Sequence, residues 1–153
     1  MRRSDREIID RPVIEQILRQ ARLCHLAMVD DGEPYVVPMN YGYRDGVIFL
    51  HCAGEGRKLD VLGRNGRVCF AVHVDERFSP GEAACSNALY YRSVIGGGSA
   101  RLLTDASAKA DGLNAIMRQF GRPEGPYAHD VLARTVVIRI DIDWMTGKQS
   151  QPK

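Results

Sequence analysis

Apolar positions along this chain recur with two periods, and the breaks between them fall at glycine, proline and aspartate turns. Ile14, Ile17, Leu18 and Ala21 follow Asp10 and Pro12 at helical spacing, which predicts a capped amphipathic helix. Leu23 to Val29 reads as a strand, and Asp30-Asp31-Gly32 is a hairpin turn. The return strand, Tyr35 to Tyr43, puts Tyr35, Val37, Met39, Tyr41 and Tyr43 on one face. Pro38 in its middle cannot donate to a ladder, so the pattern predicts an edge strand or a bulge. Arg44-Asp45-Gly46 turns the chain into Val47–His51, a continuous apolar run and therefore a buried strand.

Gly54 to Gly56 ends that strand, and Arg57–Arg64 reads as a short helix with Leu59 and Leu62 inward. Val68, Phe70, Val72 and Val74 alternate as a fourth strand, followed by a loop over Phe78 to Asn87. Tyr90 to Leu103 is long enough for one bent strand, with Gly96-Gly97-Gly98 marking the bend or a close backbone approach. Ala110, Leu113, Met117 and Phe120 predict a second helix, stopped by Gly121 and Pro123. Val136, Ile138, Ile140 and Ile142 make a last strand. A polar arm (1–9) and a polar tail (146–153) flank these elements. About six strands joined by tight turns predict a mainly β fold, an antiparallel barrel with flanking α-helices, in one domain spanning 1–153.

Composition narrows the partners. A net charge of +2 with interleaved signs gives no electrostatic reason to expect nucleic acid or an anionic membrane. No apolar run approaches the roughly 20 residues that cross a bilayer, and the charged start does not read as a signal peptide. Cys24, Cys52, Cys69 and Cys85 are scattered, which speaks against a zinc site or a disulfide framework and for a reducing cytoplasm.

Two segments carry candidate chemistry. In Gly54-Glu55-Gly56-Arg57-Lys58 the glycines let main-chain N–H groups approach an anion, and the helix start adds partial positive charge. Arg57 and Lys58 would add charged hydrogen bonds to a phosphate, although such a turn also serves as a solvated loop. It is neither a Walker loop nor a full dinucleotide fingerprint. In Pro38-Met39-Asn40-Tyr41, the Asn40 amide falls on the strand face opposite Tyr41, as a ligand contact or as a bulge residue bonded to nearby backbone. His25, His51 and His73 form no motif, and no hydrolase pattern is present.

Taken in order, several strings resemble the nitroimidazole-resistance family within the pyridoxamine 5′-phosphate oxidase-like FMN-binding split barrels. They are Arg3-Ser4-Asp5-Arg6-Glu7-Ile8, Asp31-Gly32-x-Pro34-Tyr35-Val36-Val37-Pro38-x-Asn40-Tyr41, and Phe49-x-His51-x-Ala53-x-Glu55-Gly56-x-Lys58. Tyr91-Arg92-Ser93-Val94-Ile95-Gly96-x-Gly98 and Met145-Thr146-Gly147-Lys148 complete the set, over essentially the whole chain. The resemblance implies a six-stranded split β-barrel and a homodimer with FMN at the interface. It implies a flavin ring along Pro38, Met39, Asn40 and Tyr41, with a phosphate met by His51, Ala53, Gly56, Arg57 and Lys58. Arg92 and Ser93 would approach from the other subunit, and Trp144 would close the cleft. The implied activity is an FMN-dependent oxidoreductase acting on a small molecule, with nitroaromatic reduction as the named chemistry. The alternative is a non-catalytic flavin or haem binder, for which His25, His73 and Cys85 are the available ligands.

Overall fold

The computed structural model describes residues 3–150. The first predicted helix forms over Arg11–Gln20 (α1), buries Ile14, Ile17 and Leu18, and keeps Pro12 in its first turn. Asp10 stands at the cap position, but its side chain makes no capping bond; its carbonyl accepts the ordinary helical bond from Ile14 N–H at 3.1 Å.

Asp31 (φ 51°) and Gly32 (φ 90°) both adopt left-handed backbone, so a two-residue turn joins Leu23–Asp30 (β2) to Glu33–Asn40 (β3). Asp45 (φ 49°) and Gly46 (φ 81°) repeat the device between Gly42–Arg44 (β4) and Val47–Ala53 (β5). The return strand read as continuous from Tyr35 to Tyr43 is therefore two strands with different partners. Tyr41 leaves the ladder between them, so β3 pairs with β2 and β4 with β5. The remaining elements are Arg57–Arg64 (α2), Arg67–Ser79 (β6), Ala88–Leu103 (β7), Ala106–Gln119 (α3), His129–Arg134 (α4) and Thr135–Ser150 (β8). A two-residue strand, Glu7–Ile8 (β1), precedes α1.

These eight strands form one antiparallel sheet in the order β3-β2-β6-β7-β8-β5-β4, with β1 added to β8. The count exceeds the six expected because the return strand splits and the N-terminal arm pairs. Since only Tyr41 separates β3 from β4, the two ends of the sheet meet and β3 lies against β5. The fold is thus a mainly β, antiparallel split barrel with flanking helices. Pro38 lies on the terminal strand β3, where a missing donor is tolerated.

Both polar termini depart from the expectation. Ile8 is buried and pairs with Gly147, while Thr146–Ser150 continue β8 beside β7; residues 151–153 of the expected tail lie outside the described residues. The cause is a bulge. Gly97 pairs with Trp144 but Gly98 with Ile142, so Asp143 is the extra residue. The inward set consequently switches from Ile138, Ile140 and Ile142 to Met145 and Gly147, and the simple alternation ends. The strand continues beyond it.

Two apolar clusters hold the fold together. The larger fills the barrel with Leu26, Ile48, Leu50, Phe70, Val72, Ile138 and Ile140 and accepts α1. The smaller lies between the other face of β5 and β8 (Phe49, Val137) and α3 (Leu113, Ile116). The buried stripe of α3 runs through Gly112, Leu113 and Ile116, with Ala110, Met117 and Phe120 only half-buried. Asp105 caps α3 by accepting from Ala108 N–H at 2.8 Å.

Candidate functional site

The strand β5 delivers the chain into Gly54–Lys58 at the mouth of α2. Gly56 takes φ 127° and ψ 158°, and a side chain there would meet open space, so the backbone conformation is what demands glycine. No side chain caps α2, and the first bond back to Gly56 comes from Leu59 N–H at 2.8 Å. The Arg57 and Lys58 N–H groups stand outside the helical ladder. Free N–H groups at the positive end of a helix are of the kind that hold anions.

His51 lies just upstream on β5. Its Nδ1 is enclosed without a hydrogen-bond partner, and burial pushes the imidazole below its ordinary value. Burial raises the neighbouring Cys52 thiol, and the positive charge of Lys58 partly offsets that rise. Lys58 is half-buried and enters no ion pair among the described residues, whereas Arg57 is engaged. The Arg57 Nε donates to Asp30 Oδ2 at 2.7 Å, and its guanidinium lies 4.4 Å from the Tyr35 ring centroid. Arg64 closes on the other oxygen of Asp30, whose carboxyl is held below the usual range chiefly by Arg57. This clamp pins α2 to the β2–β3 hairpin, and it leaves Lys58 as the side-chain cation available at the turn.

Of the four residues expected along the flavin ring, two face inward. Met39 and Tyr41 are buried, and the Tyr41 hydroxyl donates to the Leu18 carbonyl at 2.5 Å. Burial raises the Tyr41 pKa, so this phenol is a core group. Pro38 and Asn40 are exposed on the opposite face; Met39 and Tyr41 can offer a ligand only main chain. Ala53 is exposed at the end of β5.

Arg92 and Ser93 diverge on β7, as adjacent strand residues must. The Arg92 Nε donates to Asp75 Oδ2 at 2.6 Å and its Nη2 to Gln20 at 3.0 Å, and Gln20 donates to Asp75 at 2.8 Å. Asp75 has φ 59° beside the β6 bulge. Ser93 stands between His73 and Lys148 in the ladder. Trp144 is 48% exposed, and its indole covers Gly97 so closely that a Cβ there would lie 2.6 Å from Nε1. The indole also borders a shallow cleft of ≈ 460 Å³ with Ala27, Val29, Pro34 and Cys69. His25 and His73 stack at 5.8 Å between centroids, and His73 meets Glu76 at 2.6 Å. No hydrogen bond or ion pair joins Arg92, Ser93 or Trp144 to Gly54–Lys58 within one chain among the described residues.

In the sequence, Asp30 reads only as part of a hairpin turn, and no local signal singles out Gln20 or Asp75; the paired strands reveal what all three hold.

Comparison with known proteins gives these features a setting. The family model for pyridoxamine 5′-phosphate oxidase matches residues 10–149. None of the curated proteins matches the sequence. Among solved structures, a candidate 5-nitroimidazole antibiotic resistance protein from Bacteroides thetaiotaomicron is 32% identical with a TM-score of 0.84, covering 94% of this chain and 86% of that one. The flavocytochrome Anf3 from Azotobacter vinelandii is 21% identical with a TM-score of 0.84, covering 99% and 72%. An FAD and heme binding protein from Mycobacterium smegmatis is 20% identical with a TM-score of 0.86, covering 96% and 74%. The last two share the fold. With the model match and the Bacteroides structure both extending over most of its length, this chain belongs to the pyridoxamine 5′-phosphate oxidase-like family.

Proposed function

We propose that this protein is a flavin-dependent oxidoreductase that binds FMN with its phosphate at Gly54–Lys58 and acts on a small molecule. The observation that carries the reading is the uncapped start of α2, where Gly56 takes φ 127° and Lys58 enters no ion pair among the described residues. His51 Nδ1, upstream on β5, is buried without a partner, which is costly unless a group outside the chain satisfies it. The donor set proposed for a phosphate monoester is the Arg57 and Lys58 N–H groups and the Lys58 ammonium, with His51 as the resemblance implies. Pro38 and Asn40 would face the ring, with Met39 and Tyr41 offering main chain. Bound flavin supplies the electron and hydride transfer, while the protein supplies position and electrostatics. The name of the Bacteroides relative makes nitroaromatic compounds the first acceptors to assay.

The same reading includes a homodimer. Leu23, Val29, Val36, Ile95 and Trp144 are 46–59% exposed on strands of one sheet, and contiguous exposed apolar surface of this kind marks an interface. Arg92, Ser93 and Trp144 would then reach flavin only across the dimer, consistent with their separation from the phosphate turn within one chain. A second reading, haem binding, draws on the stacked His25–His73 pair, which sits beside this apolar surface, and on the relatives named for both cofactors. The visible spectrum of the purified protein decides between them. Two flavin bands are expected; a Soret band selects haem, and a colourless protein that refuses added FMN overturns the proposal.

A further inference from the structure

A second concave site lies between the C-terminal ends of α1 and α3 and the tip of the β4–β5 hairpin. It encloses ≈ 320 Å³ and is lined by Arg19, Tyr43, Arg44, Asp45, Arg118 and Gln119. Its floor is preformed. The Gln119 amide donates to the carbonyls of Leu18 (2.8 Å), Arg19 (3.1 Å) and Ala21 (2.7 Å). Its oxygen accepts from Tyr43 N–H at 3.3 Å, which ties three elements together. Two of the guanidinium groups rest on aromatic rings, Arg19 at 5.5 Å from the Tyr43 centroid and Arg44 at 5.3 Å from that of Phe49. A guanidinium held over an aromatic face by cation–π attraction keeps N–H groups for hydrogen bonding.

The charges are only partly spent internally. Arg19 pairs with Glu15 and Arg118 with Glu124, but both arginines are about half exposed, so these pairs are weak and exchangeable. Neutralising a helix C-terminus explains a cation in the last turn of α1 or α3. It does not explain Arg44, which belongs to a strand and has no carboxylate within ion-pair distance among the described residues. Asp45 is the acidic group on the rim, so three cations face one carboxylate in the lining.

We infer that this cleft binds a small organic anion, its phosphate or carboxylate group held by Arg44 and Arg118 with Arg19 at the edge. The site shares no residue with Gly54–Lys58 and does not depend on the flavin reading. The test is a titration of FMN-treated protein with phenyl phosphate and, separately, benzoate at constant ionic strength, followed by amide and arginine side-chain NMR shifts. Saturable shifts are expected at Tyr43, Arg44, Gly46 and Gln119. Loss of one charged hydrogen bond should weaken binding about tenfold or more in Arg44→Gln and in Arg118→Gln. Lys58→Ala should leave these shifts unchanged, even if it abolishes FMN binding. A response to phenyl phosphate alone assigns a phosphate site, and a response to both assigns a general oxyanion site. Shifts that never saturate, that survive both arginine substitutions, or that vanish in Lys58→Ala would overturn the inference.

Discussion

At the scale of single residues, His51 and Lys58 carry different parts of the proposed phosphate seat. Burial depresses the His51 pKa, so the unfolded chain takes up this proton more readily than the folded protein. Stability is therefore lost as pH falls below the unfolded value of about 6.5, continuing until the folded group itself titrates. Between about pH 7.5 and 5.5, the melting temperature of His51→Asn should decline less steeply than that of the parent; equal slopes would show that this imidazole titrates normally. Lys58→Ala should weaken FMN binding by roughly ten- to a hundredfold, the worth of one charged hydrogen bond. Arg57→Ala should behave differently, because its guanidinium already serves Asp30 and Tyr35. Its main effect should be a lower melting temperature, with a smaller loss of FMN affinity than Lys58→Ala, both read by fluorescence. Sequence spacing gave these two cations equal standing. Their division of labour comes from the hairpin that meets α2 in space.

Elements were legible where local chemistry decides them. The paired turns at Asp31-Gly32 and Asp45-Gly46 follow from residues that tolerate positive φ, and α1 follows from its apolar spacing. The β3–β4 break, α4 and the second half of β8 were not legible, since each depends on a partner distant in sequence. The glycines show the same contrast. Gly63 lies inside α2 with open space at its Cβ, so Gly63→Ala should stabilise the protein by about 0.5–1 kcal/mol. Gly42 is where β4 touches α3, and a Cβ would fall 2.4 Å from the Ala115 carbonyl carbon. Forcing that contact apart should cost about 1–3 kcal/mol in Gly42→Ala. Urea denaturation of the two variants should give opposite signs; stabilisation by both would mean that α3 is free to move away.

For the whole molecule, the question is what covers the outer sheet face. Val36 and Ile95 are 59% and 47% exposed, more than isolated burial would leave on a barrel wall. Sedimentation should give twice the 17.0 kDa chain mass, and Ile95→Lys should shift the population toward monomer. If the proposed cross-subunit contacts hold, the same variant should lose FMN as it dissociates. A monomeric parent protein that retains FMN would contradict the interface.

The sequence by itself determined the barrel class, both tight hairpins, three of the helices and the location of the proposed phosphate turn. Turn propensities, apolar periods and glycine conformations act within a few residues, and those are written locally. Only the tertiary structure decided that Tyr41 is a core phenol, that Asp30 occupies Arg57, and that Arg92 is held by Asp75 and Gln20. It likewise set the parity switch at Asp143, which turns Trp144 outward. Each of these depends on which strands pair and in what register, and one extra residue in a ladder reverses every side chain beyond it.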